Sequence, residues 1–503
     1  MLQPAMSAAV ELVEPKDELK FPWYGVVTNS LVIGTNAFAL FQCFPYAGYM
    51  VVWMGKAKTV DEAGFYSGFL VAGFMIGRSS TSLLWGIATD ILGRKPVIVI
   101  GCTAMIVFQI MFGLAKTFEV ALASRILLGI FNGLVATSKT VASEIVPRGR
   151  REWQAKSMSW VSAGVSLATL LGPAVGGWLS SPAEQYPGTI FDNDFLITYP
   201  YFLPNLIAAM FALLALVLTL LVLPETLERP TLTAQEKEAK ARVSYFATAV
   251  SLIKNNCKLM LNKKIALAIF AYCIQSFISI CMYEIFPLWL MASKGDEGKG
   301  MQMSLGLIGS VQSINGAVLL VYQSLLFPQI AKRVKPIRFW VLAGYIMFPF
   351  VIFMPFTSQF GADTAGNFVL AAILRSIQVV LDMSIFTSAF MLINNSCDGS
   401  QRGSVNGLAM TLASVTKAIG PIIFSVLFAW SVTNDLSFPL SHHFTFFIIA
   451  ILYALQSFAV GRYFTKDMDV MKKEGENLVK TSSVEMLAGS DDSKEATKRG
   501  ALV

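Results

Sequence analysis

Apolar residues run along this chain in long, nearly unbroken stretches separated by short polar breaks. The stretches are too long for strands and lack a period-two alternation, so they predict helices that are apolar on most sides. A bilayer core of about 30 Å takes about 20 helical residues to cross. That ruler predicts spans over 24–53, 65–88, 97–115, 119–145, 157–180 and 200–223. After a polar interval come six more, over 266–292, 302–327, 338–356, 368–394, 404–431 and 444–463. The expected fold is an all-α membrane protein with twelve transmembrane helices in two six-helix bundles. The chain divides into an N-terminal segment at 1–21, a bundle at 22–224, a central loop at 225–264, a second bundle at 265–464 and a tail at 465–503. The tail mixes both charge signs with serine and threonine and reads as disordered.

Composition sharpens this. Hydrophobic residues make up 55% and charged ones only 14%, against about 25% charged in soluble domains. Of the 71 charged residues, 33 fall within 1–20, 225–264 and 465–503, so too few remain elsewhere to clothe a water-exposed surface. A soluble enzyme, a secreted disulfide scaffold and a disordered chain are excluded. Lysine and arginine alternate between loops, 19 in one set and 5 in the other, which places both termini and the central loop in the cytoplasm. The net charge of +7 lies in these short loops and forms no basic stripe, so no nucleic-acid partner is expected. Six scattered cysteines with no C-x-x-C pair, and two histidines, His442 and His443, predict no metal site and no cofactor. H-E-x-x-H, G-x-S-x-G and G-x-x-x-x-G-K-[ST] do not occur, so no enzyme is expected.

The halves echo each other: Gly172-Pro173 in the fifth span is matched by Gly420-Pro421 in the eleventh. Two bundles rocking about a midplane site are how alternating-access transporters are built. The loop after the second span reads Gly86-Ile87-Ala88-Thr89-Asp90-Ile91-Leu92-Gly93-Arg94-Lys95. Gly86 permits close helix approach, Gly93 a tight turn, and Asp90 can pair with the cations beside it, so Gly86, Asp90, Gly93, Arg94 and Lys95 are candidates for a cytoplasmic latch. A plain positive-inside anchor is the alternative. In the fourth span Arg125, Gly129 and Gly133 recur every four residues, which puts them on one face of a helix. An arginine inside a span is costly and should face the bundle interior, either as a structural pair or as a coupling group. In the fifth span, Gly172, Pro173, Gly176 and Gly177 make a thin, bendable element, with Gly420 and Pro421 as its counterpart.

Further charges lie within or near spans: Arg78, Lys139, Glu144, Glu284, Arg375, Asp382 and Lys417. Each is a functional candidate by its cost in lipid. Glu284, near the outer end of the seventh span, stands either as a proton or substrate group or as a paired structural acid. Gln42, Lys139, Gln312, Asn315, Asp382 and Lys417 are candidates to line a central cavity, with packing between helices as the alternative.

The loop at 86–95 resembles the G-x-x-x-D-x-x-G-R-K signature of the major facilitator superfamily. The Arg125 motif is similar to that of its proton-coupled members, and Gly164 to Gly177 resembles the antiporter motif of drug–proton exchangers. Longer stretches narrow the likeness: Gly64-Phe65-Tyr66-Ser67-Gly68-Phe69, Gly77-Arg78-Ser79-Ser80, Pro182-Ala183-Glu184-Gln185-Tyr186-Pro187, Tyr199-Pro200-Tyr201-Phe202-Leu203-Pro204, Gln401-Arg402-Gly403 and Lys417-Ala418-Ile419-Gly420-Pro421. Together they resemble the zinc-induced-facilitator-like branch, related to drug–proton antiporters, over about residues 22 to 463. The resemblance implies the major facilitator fold and proton-coupled antiport of a small organic solute, such as an organic ion, a drug-like compound or a metal chelator. Arg125, Glu284 and Glu144 would then serve proton coupling. It also implies a monomer in a vacuolar or plasma membrane, with the solute, protons and the lipid bilayer as partners. A proton-independent uniporter and a transporter-like receptor or scaffold are the other readings.

Overall fold

The computed structural model describes residues 20–147, 150–227, 258–294, 298–331, 333–359, 364–397, 401–434 and 436–469. Most of the expected N-terminal segment, central loop and tail lies outside them. In the first half, α1 (Trp23–Phe41) and α2 (Ala47–Trp53) make the first span, α3 (Gly64–Leu92) the second and α4 (Arg94–Gly113) the third. Helices α5 (Phe118–Ile130) and α6 (Leu134–Glu144) make the fourth span, and α7 (Arg151–Trp178) the fifth. Short α8 (Pro182–Gln185) and α9 (Asp194–Thr198) then lead to the sixth, α10 (Phe202–Leu221). The second half repeats the series with α11 (Lys263–Met291), α12 (Leu305–Val321), α13 (Phe327–Ala331), α14 (Pro336–Phe353), α15 (Thr364–Ser396), α16 (Arg402–Thr433) and α17 (Phe444–Tyr463). A π turn at Tyr322–Leu326 joins α12 to α13 in one span.

Eleven of these spans are long and apolar enough to cross a membrane. The twelfth is α3, 29 residues long, whose hydropathy is diluted by the polar run Arg78-Ser79-Ser80-Thr81-Ser82. The described residues thus make the twelve-helix, two-bundle fold, with no strand among them.

Two spans depart from the continuous helices expected. The first breaks between Phe41 and Ala47, where Pro45 supplies no backbone donor. The fourth breaks after Ile130, so Gly133 opens a new helix instead of continuing the face of Arg125 and Gly129. Asn132-Gly133 has poor helix propensity, and the second span takes up the exposed carbonyl. Thr81 Oγ1 and Trp85 Nε1 both donate to the Ile130 oxygen, at 2.8 and 2.7 Å.

The halves meet along two helix pairs, α3 against α16 and α7 against α12. Glycines set the closeness of both. A Cβ at Gly68 would collide with Ser425 and the Pro421 carbonyl, and one at Gly309 with Gly177 and the Pro173 carbonyl. At the far ends of α3 and α16 the situation reverses, since a Cβ on Gly86 or Gly407 would meet nothing within 4 Å. The two helices therefore touch at one end and diverge at the other. One face of the molecule is sealed between the halves and the opposite face is open.

Candidate functional site

The sealed face is held by hydrogen bonds that cross from one half to the other. Tyr49 Oη donates to the Met303 carbonyl at 2.7 Å, and Trp178 Nε1 to Ser310 Oγ at 2.8 Å. The Ser293 amide and hydroxyl both donate to the Asp61 carboxylate, at 2.8 and 2.5 Å. Deeper in, Ser67 Oγ of α3 donates to Glu284 Oε1 of α11 at 2.9 Å. Glu284 is buried, and its position inside the seal makes its charge part of the contact between halves. Both Gly-Pro elements lie in the same region. Gly172 and Gly176 pack against Phe38 and Gln42 of the first span, Gly177 meets Gly309, and Pro173 turns its carbonyl to Gly309. In the second half Gly420 packs on Cys281 and Phe277, while the Pro421 carbonyl faces Gly68.

Arg125 is buried and makes no direct ion pair among the described residues, although its charge and that of Glu284 are near enough to act on each other. Its Nε and Nη1 donate to the carbonyls of Leu70 and Ala39, both at 3.2 Å, and its guanidinium lies 5.5 and 5.4 Å from the rings of Phe74 and Phe112. Arg375 repeats this in the second half. It lies 4.8 and 4.7 Å from the rings of Tyr283 and Phe286, and Nη1 donates to the Met282 carbonyl at 3.4 Å. Arg375 Nη1 also donates to Gln378 Oε1 at 2.5 Å, so the two fixed cations lie among π faces, backbone oxygens and, for Arg375, a side-chain amide oxygen.

Asp382 takes the opposite course. Its oxygens accept from Gln275 Nε2 at 2.8 Å, Tyr453 Oη at 2.6 Å and Ser279 Oγ at 2.5 Å. Gln456 in turn donates to Gln275 at 2.8 Å, so this acid is absorbed into the second bundle. Gln42 is buried within the first bundle and donates to Asn205 Oδ1 at 3.0 Å. Gln312 and Asn315 line a small cleft between the halves with Phe41, Pro173, Tyr283 and Arg375. Lys139 and Lys417 reach the space between the halves from α6 and α16, where Lys139 Nζ approaches Met410 Sδ at 3.6 Å.

At the open face, the loop after the second span folds into a network confined to its own half. Arg94 binds Glu144 with two parallel bonds, Nε to Oε2 at 3.0 Å and Nη2 to Oε1 at 2.9 Å. It also reaches Asp90 Oδ1 at 3.3 Å and donates to the Thr89 carbonyl at 3.0 Å. Gly93 turns with φ +107°, and Glu225 fills the space beneath it. The Glu225 oxygens accept the amides of Arg94 and Lys95 at 2.9 and 3.1 Å, capping α4 from a distant segment. Burial opposes ionisation of Glu225. The amides of Leu227, Arg94 and Lys95 and the Arg94 charge outweigh it and hold the carboxyl below its usual range. Lys95 Nζ donates to the Leu220 carbonyl at 2.9 Å. The structure therefore joins Asp90 and Arg94 with Glu144, ties Lys95 to Glu225 and the Leu220 carbonyl, and places Glu144 in another part of the molecule from Arg125 and Glu284.

Sequence reasoning passed over Ser67, Tyr49, Asp61 and Glu225, which are ordinary polar residues whose value lies in what they face. Arg78 carried a usable signal, a charge in the middle of a span.

A model of the Major Facilitator Superfamily matches residues 31–421. The chain is 34% identical over 451 residues to "Protein ZINC INDUCED FACILITATOR 1" of Arabidopsis thaliana, covering 87% of this chain and 89% of that one. It is 25% identical to "Major facilitator superfamily multidrug transporter mfsB" of Aspergillus fumigatus, over 77% of this chain and 75% of its relative. In fold it resembles the crystal structure of a D-xylose-proton symporter, with TM-score 0.68 and 16% identity, covering 90% of this chain and all of the other.

Proposed function

Because the chain belongs to the major facilitator superfamily, and is thus a transporter and not an enzyme, we propose that it exchanges a small organic solute for protons by alternating access, as a monomer in a vacuolar or plasma membrane. The single observation that carries this reading is the Ser67–Glu284 bond across the seal. An ionised carboxylate accepts a hydroxyl far better than a neutral acid does. Ionised Glu284 therefore holds the empty carrier in the state described here, and a proton on Glu284 frees the halves to rock. A proton with a larger affinity for the unsealed state shifts the equilibrium toward it. The distribution of lysine and arginine makes the sealed face the outer one and the open face cytoplasmic. The Asp90–Arg94–Lys95 loop, with Glu144 and Glu225, keeps the inner end of the first bundle rigid while the glycine-lined contacts at Pro173 and Pro421 re-form.

Proteoliposomes loaded with a pH-sensitive dye and challenged with organic anions, cations and neutral solutes test the reading. Solute addition is expected to move protons in the wild type, and Glu284→Gln is expected to reduce solute-driven proton movement about tenfold or more. Solute flux without any proton movement would contradict coupling and leave a uniporter.

A further inference from the structure

Three cations meet in the space between the bundles. Arg78 stands at the middle of α3, Lys417 at the middle of α16, and Lys139 on α6. All three residues are partly buried. They converge on one surface of the second half. Met410, Ser414 and Lys417 follow each other on one face of α16, and Phe386 and Phe390 lie four apart on α15. Arg78 Nη2 donates to Ser414 Oγ at 3.3 Å. Lys139 Nζ lies 3.6 Å from Met410 Sδ and 5.9 Å from the Phe390 ring, and Lys417 Nζ lies 5.3 Å from the Phe386 ring. The three charges are near enough to act on one another.

The ion pairs found among the described residues involve Lys56, Arg94 and Lys264, and none of these three. Asp382, the acid that acts on Lys417, has its oxygens engaged by Gln275, Ser279 and Tyr453. Arg125 and Arg375 show that this protein can surround a fixed cation with oxygens and rings on two sides, even with Arg125 Nη2 left without a hydrogen bond. Arg78, Lys139 and Lys417 receive much less. Uncompensated like charges inside a membrane are expensive and are kept where something arrives to pair with them.

We propose that Arg78, Lys139 and Lys417 bind the transported solute, and that it is a small organic anion carrying two or more acidic groups. This rests on the transporter reading above and gives it a substrate class. Two of the cations belong to the first half and one to the second, so a bound anion bridges the bundles. Empty, the cations repel and favour the open inner face; filled, they draw the halves together and close it.

Calorimetric titration of the full-length protein in detergent tests this without relying on transport, with citrate and succinate as probes and glucose and spermidine as neutral and cationic counterparts. Saturable binding is expected for at least one of the two anions and for neither counterpart. Binding of that anion should weaken with added salt, and should weaken about tenfold or more in Arg78→Gln and in Lys417→Gln. Arg78→Lys and Lys417→Arg, which keep the charge, are expected to bind more tightly than the glutamine variants, and Lys58→Gln in an exposed loop to match the wild type. The proposal is overturned if neither anion binds, if spermidine binds instead, or if the triple glutamine variant, still monodisperse, keeps wild-type affinity. Anion binding that depends on these residues, together with proton-independent flux, would overturn only the coupling.

Discussion

Arg125 shows how a single residue can be both costly and indispensable. Its guanidinium reaches two carbonyls on different helices and stacks between two rings, which needs a planar fork. Arg125→Lys keeps the charge and loses that geometry. It is expected to lower stability by about 2 kcal/mol, read as a lower melting temperature in detergent; an unchanged melting temperature would refute this account of the residue. Ser67 gives a sharper test, because Ser67→Ala alters no charge. Losing a hydrogen bond to an ionised acid costs about 1.5–3 kcal/mol, so the variant should shift the population away from the sealed state about tenfold or more. Cysteines introduced at the sealed face, such as Met303→Cys, whose side chain is buried and makes none of the seal bonds, should then label faster; equal labelling rates would show that the bond does not hold the seal.

The same contacts assign different tolerances to different stretches of one helix. On α3, Gly68→Val cannot coexist with the seal, because the added carbons would meet Ser425 and the Pro421 carbonyl. Gly86→Ala meets open space in this state. Gly68→Val is expected to abolish transport while Gly86→Ala retains binding of a ligand at the open face; the reverse ranking would contradict the assignment of sealed and open ends. At α4 the Glu225 cap makes a pH prediction. Its carboxyl is held below the usual range, so its stabilisation is complete above the unfolded value of about 4.3 and is lost as pH falls through the lower folded value. Glu225→Ala should cost on the order of 1 kcal/mol at neutral pH. Its melting temperature should also fall less than that of the wild type between pH 5 and 3.

Elements were far more legible in the sequence than partnerships. Twelve helices followed from apolar run length alone, including α3, whose serine-rich middle dilutes the signal. The breaks at Pro45 and Asn132-Gly133 were not legible as breaks, because a helix end inside a membrane depends on who accepts the freed groups. Trp85 and Thr81, which serve Ile130, lie about 50 residues upstream. The costly charges were visible one by one. Their sorting into a seal, two ring-bound arginines, a saturated aspartate and an unpaired trio depends on which helices face each other. Glu144 illustrates the limit: its place beside Arg94 is set by the turn at Gly93, not by its spacing from Arg125.

At the scale of the whole molecule, the two bundles are joined by contacts gathered toward one face. Among the described residues, every hydrogen bond that crosses between bundles lies at the seal or in the interior, while the network around Arg94 stays within the first half, and Asn394 of α15 binds Asn406 and Arg402 of α16, at 2.7 and 3.3 Å, within the second. This geometry supports the proposed rigid-body rocking, in which closing the open face would require opening the sealed one. The most direct test is the distance between spin labels on Gly86→Cys and Gly407→Cys, with the native cysteines replaced, compared with a second pair at the exposed loop positions Lys58 and Ser437 on the sealed face. Citrate alone, and acidification alone, are each expected to shorten the first distance and lengthen the second in the same sample, by several ångströms each. Two distances that stay fixed, or that change in the same direction, would contradict an alternating-access carrier built on these contacts.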